Sequence, residues 1–292
     1  MRIADALFLQ HLLGGAQSHK REMLKLERQI SSGAAVVDPT QDPVRYREAL
    51  LRDAQLARTA SAKQAAALAE SRLRATAAAL DGLQQILVRA RALAVQQSSA
   101  TVSAAERQAA AGEVARLLDA ALVLANRKWN GEALFGGTRT DRDPFVAGAQ
   151  GVRYQGDQGT RTMVLDRGTT IPAGAPGGDP ALTDAFQALA ALKQALANND
   201  PAAVRSALGT LVQAHHEVTR LGAEVGGWAA HAASLQQALG AWEAEIKRTQ
   251  SEREGADIPA LVARVEELRA ALEAVYLQVS RTANLSLARF LR

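Results

Sequence analysis

The sequence contains no cysteine. Disulfides, thiol catalysis and Cys-ligated zinc are therefore excluded together, because each needs a sulfur atom. Aromatic residues are scarce: 5 Phe, 3 Trp and 3 Tyr in 292 residues. The bulky side chains that supply much of the area buried in a deep globular core are thus nearly missing. Proline is rare and clumped. None lies between Val44 and Asp143, whereas Pro144, Pro172, Pro176, Pro180 and Pro201 crowd the middle and Pro259 stands alone. No run of about 18 apolar residues occurs, so no segment reads as a membrane-spanning helix. An excess of one charge is missing too, since 34 Lys and Arg are interleaved with 30 Asp and Glu for a net charge of +4. Nucleic-acid binding needs uncompensated cationic clusters, and Lys20, Arg21, Lys25 and Arg28 are balanced by Glu22 and Glu27 at helix-neighbour spacing.

What is abundant is alanine, 63 positions, and leucine, 37. A third of the chain is therefore strong helix former. In the first segment Leu9, Leu12, Ala16, His19, Met23, Leu26 and Ile30 recur in steps of three and four, one stripe of a helix. Gly33 should close that helix in the left-handed conformation. Asp42-Pro43 reads as an N-cap followed by proline at the first helical position, and Asp200-Pro201 repeats the device. From Val44 to about Ser98 the stripe is Leu73, Leu80, Leu83, Leu87, Ala90 and Ala94. About 55 residues at ~1.5 Å each make a rod of roughly 80 Å. Ser103-Ala104-Ala105-Glu106 is a capping box, opening a helix with Val114, Leu117, Ala121 and Leu124 inward that should return antiparallel to the rod.

Helical periodicity stops between Trp129 and Gly178. Val152–Gln155 and Arg161–Leu165 are strand-like, separated by the turn-forming Gly156-Asp157-Gln158-Gly159. Beyond them Leu182, Phe186, Leu189, Leu192 and Leu196 mark a short helix. A long one follows, with Val204, Leu208, Leu211, His215 and Val218 inward and Gly222, Gly226 and Gly227 as a bend or a close helix approach. At the end Leu261, Val265, Leu268, Leu272, Val275 and Val279 keep a heptad rhythm, and Leu285, Leu287, Phe290 and Leu291 are apolar.

Catalytic motifs are missing. The five histidines, His11, His19, His215, His216 and His231, form no H-E-x-x-H, and there is no nucleophile elbow, phosphate loop or dinucleotide fingerprint. Glu243/Glu245 and Glu266/Glu267 read as solvated helix faces. No enzyme activity, cofactor or metal is expected.

Two stretches carry a resemblance. Leu26-Glu27-Arg28-Gln29-Ile30-Ser31-Ser32-Gly33, then Val37, Pro39 and Asp42-Pro43, is similar to the segment shared by bacterial flagellins and flagellar hook-associated proteins. Asn130-Gly131-Glu132-Ala133-Leu134-Phe135-Gly136-Gly137-Thr138-Arg139-Thr140, with Pro144-Phe145 and Val152-Arg153-Tyr154-Gln155-Gly156-Asp157, resembles the hook-associated protein 3 branch of that flagellin-like family. The ending Asn284-Leu285-Ser286-Leu287-Ala288-Arg289-Phe290-Leu291 also resembles the family's terminus. The chain departs from the family at Ala34-Ala35, where Lys-Arg is usual, and at Gln41-Asp42, where an acidic pair is usual.

The resemblance implies a structural subunit of the bacterial flagellum at the junction between hook and filament. It implies an extracellular place reached by type III export without a cleaved signal peptide. The implied partners are further copies of itself, the first hook-associated protein, flagellin and an export chaperone on the C-terminal helix, with no nucleic acid and no membrane insertion. Two alternatives stay open: a flagellin-type filament subunit, and a cytoplasmic coiled-coil adaptor. The expected fold is mainly α, a long antiparallel helical rod or coiled coil built from N- and C-terminal segments, with a small β-rich central insertion. Residues 1–38 are expected as an N-terminal assembly helix pairing with 256–292, 39–130 and 180–255 as the halves of the helical part, and 131–179 as a small β-rich outer domain. The expected assembly interface pairs Ile3, Leu7, Leu12, Met23, Leu26 and Ile30 with Leu261, Val265, Leu268, Leu272, Val275 and Val279, joined by Leu285, Leu287, Phe290 and Leu291.

Overall fold

The computed structural model describes residues 2–40, 42–148, 151–166, 168–176 and 178–290. The chain is mainly α, with a small β-rich centre. The helices are α1 (Arg2–Ser32), α2 (Pro43–Gln97), α3 (Ala104–Ala125), α4 (Pro180–Ala197), α5 (Pro201–Glu254) and α6 (Ile258–Phe290). Between α3 and α4 lie β1 (Lys128–Trp129), β2 (Glu132–Ala133), β3 (Phe145–Gly148), β4 (Gly151–Tyr154), β5 (Thr162–Asp166) and β6 (Thr169–Pro172). The chain divides into two compact units, one of Met1–Ala57 with Glu243–Arg292 and one of Arg58–Trp242.

Helix ends follow local chemistry. Gly33 closes α1 at φ +69°, its N–H donating to Gln29 O at 2.9 Å; only a residue without Cβ takes that conformation cheaply. Asp42 Oδ1 accepts from the N–H groups of Val44 and Arg45, and Asp200 Oδ1 from those of Ala202 and Ala203. Ser103 and Glu106 form the reciprocal capping box. Each cap satisfies donors that the first helical turn otherwise leaves without partners.

In the Arg58–Trp242 unit the expected stripes converge. Leu73, Leu80, Leu83 and Leu87 of α2 are buried with Val114 and Ala121 of α3, Leu182, Phe186, Leu189, Leu192 and Leu196 of α4, and Val204, Leu211 and Val218 of α5. Leu117, Leu124, Leu208 and His215 sit half-buried at its margin. Helices α2 and α3 run antiparallel: Arg89 pairs with Glu113 at 2.6 Å, and Arg107 donates to Gln97 O at 3.3 Å. Arg107, buried, also donates to Ser99 O and to Asn199 Oδ1, tying the α2–α3 and α4–α5 connections together. Helix α5 is continuous through Gly222, Gly226 and Gly227. A Cβ at Gly222 would stand 3.0 Å from Gln84 Nε2, so close approach to α2 is the role of that position.

The β-rich centre consists of three two-stranded antiparallel pairs. Asn130 and Gly131, both at positive φ, make the tight turn between β1 and β2, the backbone form that an Asn-Gly pair favours. The two strand-like stretches exist but do not pair across the Gly156–Gly159 turn. Strand β4 pairs with β3, Phe145 opposite Tyr154, and β5 pairs with β6. Phe145 is buried with ring centroids 5.2 Å from Tyr154 and 5.3 Å from Phe186, fastening the hairpin to α4. Asn126 holds the same residue from α3, donating to Phe145 O and accepting from Phe145 N–H. Arg72, fully buried on α2, donates to Glu132 Oε2 at 2.9 Å and Ala133 O at 2.7 Å, and Arg161 donates to the other Glu132 oxygen. Burial pulls the Arg72 pKa below the ordinary arginine value, and Glu132 opposes that shift. A buried guanidinium survives only with such partners.

The 156–159 segment wraps on Asp157 instead of turning a hairpin. Asp157 accepts from Thr138 Oγ1 at 2.5 Å, Thr138 N–H at 2.9 Å and Gly159 N–H at 2.8 Å. Gly137, at φ +70°, leaves room for that carboxylate where any Cβ would collide. Tyr154 donates its hydroxyl to Asp157 O at 2.7 Å, and burial first, then the Asp157 charge, pushes the phenol to about 12. The hydrogen bonds hold the Asp157 carboxyl at about 2, below its ordinary 3.8. A folded-state pKa below the unfolded one stabilises the fold above the unfolded value and is lost as pH falls through the folded one. The stability difference between wild type and Asp157→Asn should therefore be constant from neutral pH down to about pH 5 and shrink progressively as the pH falls from there through about 2. Chemical denaturation across that window measures it.

Candidate assembly surface

In the Met1–Ala57 and Glu243–Arg292 unit, α1 and α6 run antiparallel. Ala256 N–H donates to Gly33 O at 2.9 Å, and Ala34 bridges Gly255, so the end of α1 meets the start of α6. Toward the other end of the pair, Val275 faces a groove lined by Leu7, His11, Leu12 and His19. Buried Gln29 reaches back to donate to Ala35 O, securing the turn after Gly33. Between the helices Leu26, Val265 and Leu268 are buried, with Met23, Ile30 and Leu261 half-buried against them, and Ala16 and Leu272 buried farther along. Glu22 pairs with Arg264 at 3.2 Å and Glu27 with Arg269 at 3.9 Å along the edge. These pairs are exposed and add little stability.

The residues expected to make the assembly interface thus divide. Leu26, Val265, Leu268 and Leu272 face within the chain; Leu12, Met23, Ile30, Leu261, Val275 and Val279 are half-buried, and Leu7 is exposed. The side chains of Ile3, Leu285, Leu287 and Phe290, and the whole of Leu291, lie outside the described residues. Periodicity missed a second set. Phe8, Leu13 and Leu24 on α1 and Val262, Tyr276 and Leu277 on α6 are 44 to 61% exposed. They stand beside the heptad stripe rather than on it, and a stripe search keeps only the residues in phase.

This surface offers apolar area and charge. No group of three or more His, Cys, Asp or Glu able to hold a metal ion occurs among the described residues, and no helix of theirs is long and apolar enough to cross a membrane.

Residues 9–140 match the family model of the bacterial flagellin N-terminal helical region. The flagellar hook-associated protein 3 of Escherichia coli K12 is 31% identical over 228 residues, 68% of this chain and 69% of that protein. The chain belongs to the flagellar hook-associated protein 3 family. It is accordingly a structural flagellar protein that assembles with other components of the flagellum. Hook-associated protein 3 of Salmonella typhimurium is 30% identical over 186 residues, 61% of this chain and 56% of that one. The crystal structure of FlgL from Bacillus cereus shares the fold, with a TM-score of 0.62 at 23% identity over 69% of this chain and 99% of that one. Within the stretch from Asn130 to Asp157 that carries the resemblance, Glu132, Phe145 and Asp157 make the contacts described above.

Leu268, 2% exposed, is the centre of the α1–α6 contact. Leu268→Ala should cost about 2–4 kcal/mol of that pairing. Amide hydrogen exchange should accelerate in α1 and α6 while residues 58–242 keep their protection; unchanged protection in α6 would refute the contact's importance.

Proposed function

We propose that this chain is a subunit of the junction between hook and filament, built into the flagellum through residues 1–38 and 256–292. The observation that carries the reading is the unequal closure of the α1–α6 pair. One edge is consumed by Leu26, Val265, Leu268 and Leu272, and another leaves Phe8, Leu13, Leu24, Val262, Tyr276 and Leu277 in water. Two helices alone cannot cover both edges, and apolar patches of this kind are finished by a partner. Adjacent copies supply the cover. The two unlike ends of the resulting layer meet the first hook-associated protein and flagellin. A head-to-tail contact of that type presents different surfaces on its two sides, as a junction requires.

Before assembly the same apolar residues are an aggregation hazard. A cytoplasmic chaperone on the C-terminal helix and export through the flagellar type III apparatus without a cleaved signal peptide fit that hazard. Residues 39–130 and 180–255 serve as the stiff helical part, and 131–179 as a small outer β-rich domain. The Arg72–Glu132 and Asp157 arrangements keep that domain rigid on its helices.

Leu277→Asp changes a residue that is 61% exposed, so the lone chain should fold and melt as wild type. Incorporation into purified flagella, measured by immunoblot, and swimming motility should both be lost. Normal incorporation of this variant would overturn the reading.

A further inference from the structure

The exposed flank of α6 has a complementary surface on the same unit, too far away to be met by the same chain. Val262, Glu266, Arg269, Glu273 and Tyr276 recur in steps of four and three, one face of the helix, with Leu277 beside them. Glu266 is engaged by Arg269 at 2.8 Å. Glu273 is exposed and has no ion pair among the described residues. The flank therefore carries the exposed apolar side chains of Val262, Tyr276 and Leu277, one internal ion pair, and one carboxylate, Glu273, outside that pair.

Where the loop after α1, the first turns of α2 and the last turn of α5 meet, a cleft of about 350 Å³ is lined by Ala34, Val36, Ala49, Arg45, Arg52 and Arg253, with Glu48 at its side. Arg45 is paired with Asp42 at 3.6 Å and Arg52 with Glu48 at 3.5 Å. Arg253 is exposed and has no carboxylate partner among the described residues. Beside the cleft on α2, Val44 and Leu51 are 61 and 63% exposed and seven residues apart. This surface is also apolar, with one uncompensated cation. Small side chains at Ala34 and Ala35 keep the cleft open.

We propose that the α6 flank of one copy docks on the Arg253 cleft of a second copy, pairing Glu273 with Arg253 and covering Val262, Tyr276 and Leu277 with Val44, Leu51 and the alanine-lined wall. Within one chain the contact is impossible. Glu273 is 15 residues into α6 from Ile258, roughly 22 Å along the axis at ~1.5 Å per residue, beyond the reach of two side chains. The interface is heterologous, so each copy offers a cleft to one neighbour and a flank to another. The inference rests on the assembly reading above and names the surface that completes it.

Charge reversal tests it on the full-length chain, with self-association followed by analytical ultracentrifugation. Arg253→Glu and Glu273→Arg should each weaken self-association on the order of 100-fold, because like charges then face each other in the contact. An equimolar mixture of the two variants should associate as wild type, since each cleft then finds a flank of opposite sign. The double variant should do the same alone. Recovery in the mixture also shows that both variants fold. Wild-type association of either single variant, or failure of the mixture and the double variant to recover, overturns the proposal. Should both reversals be silent while Leu277→Asp still abolishes association, the cleft is wrong and the assembly reading stands. A wild-type chain that never self-associates, alone or with flagellar partners, removes both.

Discussion

The constraint on which the rest depends is that two helices packed side by side can cover only one edge each. Burial of apolar area is the main favourable term in folding, at roughly 25 cal/mol per Å², and α1 and α6 have just each other to bury against over most of their length. Leu26, Val265, Leu268 and Leu272 use the shared edge. Beyond it Phe8, Leu13, Leu24, Val262, Tyr276 and Leu277 stay exposed. The terminal unit therefore leaves part of its apolar area exposed, and that area is what the proposed assembly would cover.

The Arg58–Trp242 unit solves the opposite problem. Four helices meet there, so leucine stripes from α2, α3, α4 and α5 close on one another without help. Alanine between the leucines lets the helices approach, which explains how a chain with few aromatics still packs densely. The β-rich centre is attached by polar anchors as well as by Leu134, Phe135, Phe145 and Ile171, which are buried in the core of the helices. Buried Arg72 grips Glu132 and Ala133 O, Asn126 grips Phe145, and Asp157 gathers three donors around Gly137. These directional contacts define one arrangement, whereas a small apolar patch would tolerate several.

The helices, their caps and their core stripes were legible in the sequence because they depend on neighbours three to four residues apart. Ser103 with Glu106, Asp200 with Pro201, and the run from Leu73 to Ala94 need nothing distant to be recognised. The motif residues from Asn130 to Asp157 were legible as a family signature, but their reasons were not. Glu132 serves an arginine 60 residues earlier in the chain, and Asp157 serves a backbone 19 residues away. Strand pairing was not legible either: Val152 and Arg161 lie on successive strand-like stretches, yet each strand chose its other neighbour.

By itself the sequence determined the helices, the mainly helical class and the family, since each is written in local spacing or in short motifs; of the six strands it showed only the stretches of β4 and β5. Only the tertiary structure decided which apolar side chains are spent inside the chain and which are left over. Leu272 and Leu277 are both leucines of one helix, five residues apart. The first is 7% exposed and the second 61%. Their difference is set by the azimuth of α6 against α1, and an azimuth exists only once a second helix has packed.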